Sequence, residues 1–112
     1  ITDANRFAKL NNIENAKFYA GNILPFMHQF EQDDFVPDVV IVDPPRKGLD
    51  LNFINYLKQS KVNRIIYVSC NPSTLAKNLS HLQKEYSVKF VKPIDMFPQT
   101  SSVESVSLLE RR

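Results

Sequence analysis

The sequence predicts an α/β fold in three layers, and three observations carry that prediction. The run "VVIV" at 39–42 is apolar without alternation, as a strand covered on both faces of a parallel sheet is. Strand-like and helix-like stretches alternate along the chain, the order of an α/β domain. The last two strand-like runs, "SVKFVKPIDMF" and "VESVSLLE", are joined only by "PQTSS". That connection is too short for a crossover helix, so these two strands pair antiparallel and close the sheet with a hairpin. With 112 residues, 43% hydrophobic and 23% charged, the chain is long enough for one core and reads as a single domain over 1–112.

Each element has a local reason. "ITDANRFAKLNN" opens without methionine, and Ile1, Phe7, Ala8 and Leu10 have the spacing of the second part of an amphipathic helix ending near Asn11 and Asn12. "AKFYAG" at 16–21 reads as a short strand, and "ILPFMHQFEQ" at 23–32 as a short helix or turn-rich connection. The "VVIV" strand stops at Asp43, because Pro44 and Pro45 fix φ and remove two backbone donors. Asp50 is placed to cap a helix over "LNFINYLKQS", whose Phe53, Ile54 and Leu57 share one face. "RIIYVS" at 64–69 is the second central strand, and Asn71 with Pro72 supplies an N-cap and a first-turn proline for the helix "STLAKNLSHLQKEY".

Composition excludes several function classes. The single cysteine cannot make an internal disulfide, and His28 and His81 lie too far apart in sequence for a metal motif. No metal site is expected, and a reducing, cytoplasmic setting follows. The longest aliphatic run has four residues, so no segment spans a membrane. Two glycines leave no glycine-rich loop to cradle a phosphate or cofactor. A formal charge of +2 permits a polyanionic partner without requiring one.

In a sheet of this class chemistry gathers at the carboxyl ends of the strands. Two strands end there in rigid polar signals: Val42 runs into Asp43-Pro44-Pro45-Arg46, and Val68 into Ser69-Cys70-Asn71-Pro72. A diproline between opposite charges holds Asp43 and Arg46 in place. Cys70 alone reads as a buried, inert sulfur, as free cysteines usually are. Its place beside the first turn of a helix alters that reading, because the positive end of the helix dipole favours the negative charge a thiolate nucleophile carries.

The segments "DPPRKGLD", "YVSCNPSTLAKNL" and "PIDMFPQTSSVESVSLLE", in this order, resemble the C-terminal catalytic domain of the RNA uracil-C5 methyltransferases, which make 5-methyluridine in transfer and ribosomal RNA. The resemblance covers practically the whole chain. It implies a Rossmann-like fold using S-adenosylmethionine, with the sheet order 3-2-1-4-5-7-6 and this chain supplying strands 3 to 7. It further implies Cys70 as nucleophile, Glu104 as the base that removes the C5 proton, Asp43 against cofactor and target base, and Asn22 near the adenine of the cofactor. Gln99 and Thr100 are candidates for the uracil edge, and Arg46, Lys47 and Lys92 for RNA phosphate.

The chain also departs from the family pattern. Many relatives carry histidine where this chain has Ser102. The first two strands, the cofactor loop with its glycine, the ribose-binding acid, an RNA-binding domain and, in some members, iron–sulfur cysteines are all expected upstream of Ile1. The fold is therefore expected to be truncated on its N-terminal side, and the chain alone to be inactive. Its "VVIV" edge, left without its family neighbour, is not expected to stay bare: either residues 16–20 lie directly beside residues 38–43, or two copies pair across it as a dimer. Two other readings stay open: an amino-group methyltransferase using the Asp-Pro-Pro turn, which normally has an aromatic residue where Arg46 stands, and a non-catalytic α/β module.

Overall fold

The computed structural model describes residues 4, 6, 9–12, 14–16, 23–94 and 104–112. The opening helix ends where expected: Lys9 and Leu10 are helical, Asn12 takes φ 56°, and its N–H donates to the Lys9 carbonyl at 3.3 Å. Asparagine tolerates this left-handed conformation and so suits a helix end. The predicted strand at 16–21 lies outside the described residues, apart from Ala16.

Among the described residues seven elements follow in chain order: α1 (Ile23–Gln32), β1 (Val39–Val42), α2 (Leu51–Gln59), β2 (Arg64–Ser69), α3 (Pro72–Leu82), β3 (Tyr86–Ile94) and β4 (Glu104–Arg111). Both predicted caps form. The Asp50 carboxylate accepts from the Asn52 N–H at 2.7 Å, and the Asn71 side chain accepts from the Ser73 N–H at 3.0 Å, satisfying donors that a helix start leaves without partners. The helix α3 is shorter than the sequence suggested. It ends at Leu82, because Tyr86 is drawn into β3, where its fully buried hydroxyl donates to the Val62 carbonyl at 2.8 Å.

The sheet has the order β1-β2-β4-β3. β1 and β2 are parallel, with Val42 opposite Tyr67. β4 is antiparallel both to β2, with Ser69 opposite Ser105, and to β3, with Ile94 opposite Glu104. This is the 4-5-7-6 portion of the order expected from the resemblance. The closing hairpin is confirmed.

Period-2 alternation assigns the faces. Val42, Ile65, Tyr67 and Leu109 point to one side and form one core with Phe53, Ile54 and Leu57 of α2 and Leu75 and Leu82 of α3. The other side differs from the expectation of a strand covered on both faces. Val39 and Ile41 of β1 are 40% and 67% exposed, and Phe90 of β3 is 47% exposed. The helices α2 and α3 bury only the Val42 side of the sheet. β1 is also an edge strand among the described residues, with its outer rim of backbone groups available for pairing.

A second anchor closes the far end of the core. The Arg111 guanidinium donates to the carbonyls of Val62 at 3.2 Å and Leu57 at 3.0 Å and to that of Ser60, and lies 4.7 Å from the Tyr86 ring centre. It thereby ties the end of β4 to carbonyls of the last turn of α2 and of the segment that follows it.

Candidate functional site

The site is built on the carboxyl ends of β1 and β2. Parallel pairing brings the end of β1 beside the end of β2, so the Asp43–Arg46 turn and the Cys70 turn share one rim. Asp43 and Arg46 are exposed, and Cys70 is half-buried. The Cys70 turn is fastened by its neighbour: Ser69 Oγ accepts from the Asn71 N–H at 3.1 Å and donates to the Asn71 carbonyl at 3.0 Å.

The two turns are bonded to each other. The Arg46 carbonyl accepts from Asn71 Nδ2 at 3.1 Å and from Thr74 Oγ1 at 3.0 Å. Two turns further along α3, Asn78 Oδ1 accepts from the Leu49 N–H at 2.9 Å and from the Tyr67 hydroxyl at 2.6 Å. Sequence reasoning did not single out Thr74, Asn78 or Tyr67. A signal existed: Asn71, Thr74 and Asn78 recur at helical spacing and so share one face of α3.

Glu104 approaches from the other side of β2. The last ladder pair is Ser69 with Ser105, and antiparallel progression puts Glu104 level with Cys70, one step beyond it. Lys92 stands opposite Val106, on the face that Glu104 shares. Asn22, Gln99, Thr100 and Ser102 lie outside the described residues.

Beside the Asp43 turn, a cleft of about 700 Å³ opens between α1, β1 and the start of α2. Ile23, Met27, Ile41 and Phe53 give it apolar walls, and Asp43 and Lys47 stand in its lining. Its size falls within the range of small-molecule sites, about 300–1,000 Å³. Among the described residues no group of His, Cys, Asp or Glu is arranged to hold a metal ion, and no helix is long and apolar enough to cross a membrane.

Burial raises the phenol pKa of Tyr56 and of Tyr67, that of Tyr67 the more strongly. Burial, and secondarily the charge of Cys70, push its phenol from 10.0 up to about 12. The folded state then holds this proton more tightly than the unfolded chain, so the contribution to stability is complete below pH 10 and is lost as pH rises towards 12. Denaturant unfolding followed against pH is expected to show that decline. Tyr67→Phe removes this part of it and, by deleting one buried hydrogen bond, lowers neutral-pH stability by about 1 kcal/mol. A wild-type profile flat through pH 12 would contradict this expectation.

The β1-β2-β4-β3 sheet, with a thiol, a carboxylate and an Asp-Pro-Pro-Arg turn on one rim, is an α/β domain that matches the part of the methyltransferase fold the resemblance implied. The family model of tRNA (uracil-5-)-methyltransferases matches residues 5–112, and the chain belongs to that family. It is 46% identical over its whole length to an uncharacterized RNA methyltransferase of Listeria innocua, and 48% identical over 99% of its length to another of Enterococcus faecalis. The chain spans about a quarter of the length of these relatives, 24% in each case. Among solved structures it is similar to the tRNA (uracil-54, C5)-methyltransferase of Pyrococcus abyssi in complex with S-adenosyl-L-homocysteine, with 36% identity and a TM-score of 0.76 over 97% of this chain and 26% of that one. The M1.HpyAVI–SAM complex, at 16% identity and a TM-score of 0.68 over 86% of this chain and 53% of that one, shares the fold.

Proposed function

We propose that this chain supplies the nucleophile and the base of an S-adenosylmethionine-dependent RNA methyltransferase acting on C5 of a uridine in transfer or ribosomal RNA, in the cytoplasm. The observation that carries the reading is the register that sets Glu104 level with Cys70, on the rim to which the Asp43–Arg46 turn is bonded.

C5 of uracil is a poor nucleophile, and the arrangement answers that difficulty. The Cys70 thiolate adds to C6, forming an S–C6 bond and moving the C5–C6 π electrons into an enolate that makes C5 nucleophilic. S-adenosylmethionine, when bound, would supply the methyl group to C5 from its sulfonium, leaving S-adenosylhomocysteine. Glu104 then takes the C5 proton. The C–H electron pair restores the C5–C6 double bond as the S–C6 bond breaks, and Cys70 is released as thiolate. The cleft suits the cofactor in volume, with apolar walls for an adenine and the Asp43 carboxylate to face a sulfonium. Asn22 is assigned to the adenine, Gln99 and Thr100 to the uracil edge, and Arg46, Lys47 and Lys92 to phosphate.

The test uses a full-length methyltransferase containing this chain, with RNA carrying 5-fluorouridine. Fluorine at C5 cannot leave as a proton, so the enzyme is expected to be trapped as a covalent protein–RNA adduct that survives denaturing electrophoresis. The absence of an adduct with both transfer and ribosomal RNA, cofactor present, overturns the proposal; which RNA is trapped assigns the substrate.

A further inference from the structure

The cysteine turn and the Asp-Pro-Pro-Arg turn belong to strands whose ends have no covalent reason to stay in register to within an ångström. Prolines stiffen Asp43–Pro45 internally, but stiffness within a turn does not fix where the turn sits. Something outside it must.

We propose, on the basis of the function argued above, that Thr74 and Asn78 are positioning residues of the reaction: with Asn71 they form a polar face on α3 that locks the Asp43–Leu49 segment to the helix carrying Cys70 at its start. Three features support this. The Arg46 carbonyl has two lone pairs, met by Asn71 Nδ2 at 3.1 Å and Thr74 Oγ1 at 3.0 Å, the shorter of the two contacts open to the Thr74 hydroxyl, whose other acceptor is the Asn71 carbonyl at 3.2 Å. Asn78, only 5% exposed, receives Leu49 from the same loop and Tyr67 from β2 on one oxygen, so loop, helix and cysteine strand meet at a single atom. Gly48 completes the fit. It takes φ +85°, and a Cβ there would come within 2.7 Å of Asn78 Oδ1 and 3.2 Å of Thr74 Cβ. Only glycine allows the loop to lie this close to α3 without strain.

The consequence concerns rate. A displacement of about 1 Å in a reacting group costs on the order of a hundredfold in rate, and the lock is what holds Asp43 and Arg46 at a fixed offset from the thiol. Thr74→Val keeps the shape of the side chain and leaves Asn71 to cap the helix, so it loosens one of two bonds on Arg46. It is expected to lower the single-turnover methylation rate, per folded molecule and at saturating RNA and cofactor, by roughly tenfold, the worth of one well-made hydrogen bond. Dissociation constants for RNA and S-adenosylmethionine should stay within about twofold, and Thr74→Ser, which restores the hydroxyl, should return most of the rate. Gly48→Ala attacks the same lock from the loop side, and the double variant should lose little more than the worse single one, as shared machinery requires.

The experiment is run in the full-length enzyme, alongside 5-fluorouridine trapping of the wild type. If the wild type forms no adduct, the function proposed above fails and this inference falls with it. If the wild type is trapped and Thr74→Val methylates within twofold of it, or loses rate only in proportion to lost folded protein, positioning by α3 is overturned while the function stands. Should Gly48→Ala fail to fold, Thr74→Val and its serine rescue decide the question alone.

Discussion

Cys70→Ala is expected to abolish methylation in the full-length enzyme while leaving RNA and cofactor binding nearly intact. The sulfur forms a bond to the substrate, and no neighbouring group can substitute for it: the nearest hydroxyl in sequence, Ser69, is 4% exposed and committed to Asn71 in both directions. The same fact limits the structural cost. The turn is held by Ser69 and Asn71, Cys70 is half-buried, and it is absent from the core cluster, so its replacement should cost no more than about 1 kcal/mol. Activity is expected to fall below roughly a thousandth of wild type, the scale of loss for a removed nucleophile. Single-turnover transfer of labelled methyl groups measures it, with filter binding as the control for RNA affinity. Turnover near the wild-type rate would instead favour chemistry that needs no cysteine, such as transfer to an exocyclic amine.

The local signals that set up this site are legible residue by residue. Asp50 and Asn71 can be read as caps from the sequence alone because capping is decided within three residues, and the closing hairpin because five residues cannot hold a crossover. The carboxyl-edge placement of Asp43 and Cys70 follows from strands read by their apolar runs. What escaped the sequence depends on distant partners. Asn78 looks like an ordinary polar residue of a helix until the fold brings Leu49, 29 residues away, onto its side-chain oxygen. Nothing in the sequence near Arg111 shows that its guanidinium reaches the Leu57 carbonyl, 54 residues away. "VVIV" gives the same signal whether one or both faces are covered, since alternation vanishes only when polarity does, and Ile41 is left exposed despite it. Ser107 is the converse: a hydroxyl fully buried opposite Tyr67, without a hydrogen-bond partner among the described residues.

Glu104→Gln should behave differently from the cysteine variant, and the difference tests the order of steps. Glutamine has nearly the shape of glutamate but cannot accept the C5 proton as a carboxylate does. Addition of Cys70 to C6 and methyl transfer both precede proton removal, so the variant is expected to complete them and then stop. Elimination of the cysteine requires the electron pair of the C5–H bond, and with that proton in place the S–C6 bond persists. The predicted species is a methylated covalent protein–RNA complex, formed on natural uridine without fluorine, stable on a denaturing gel and heavier than the sum of the thiol protein and the RNA by one CH2, since the thiol proton is lost as the methyl group is gained. Turnover should drop by about 10²–10⁴-fold, the usual worth of a positioned base. The geometry makes the assignment specific. Glu104 is the β4 residue level with Cys70, whereas Glu110 on the same strand is paired with Arg64 at 3.6 Å, at the opposite end of the ladder. Glu110→Gln is therefore the matched control and should turn over normally. If Glu104→Gln accumulates no methylated complex while Cys70 remains trappable by 5-fluorouridine, another group takes the C5 proton, and the level placement of Glu104 and Cys70 across β2 and β4 has no part in the elimination.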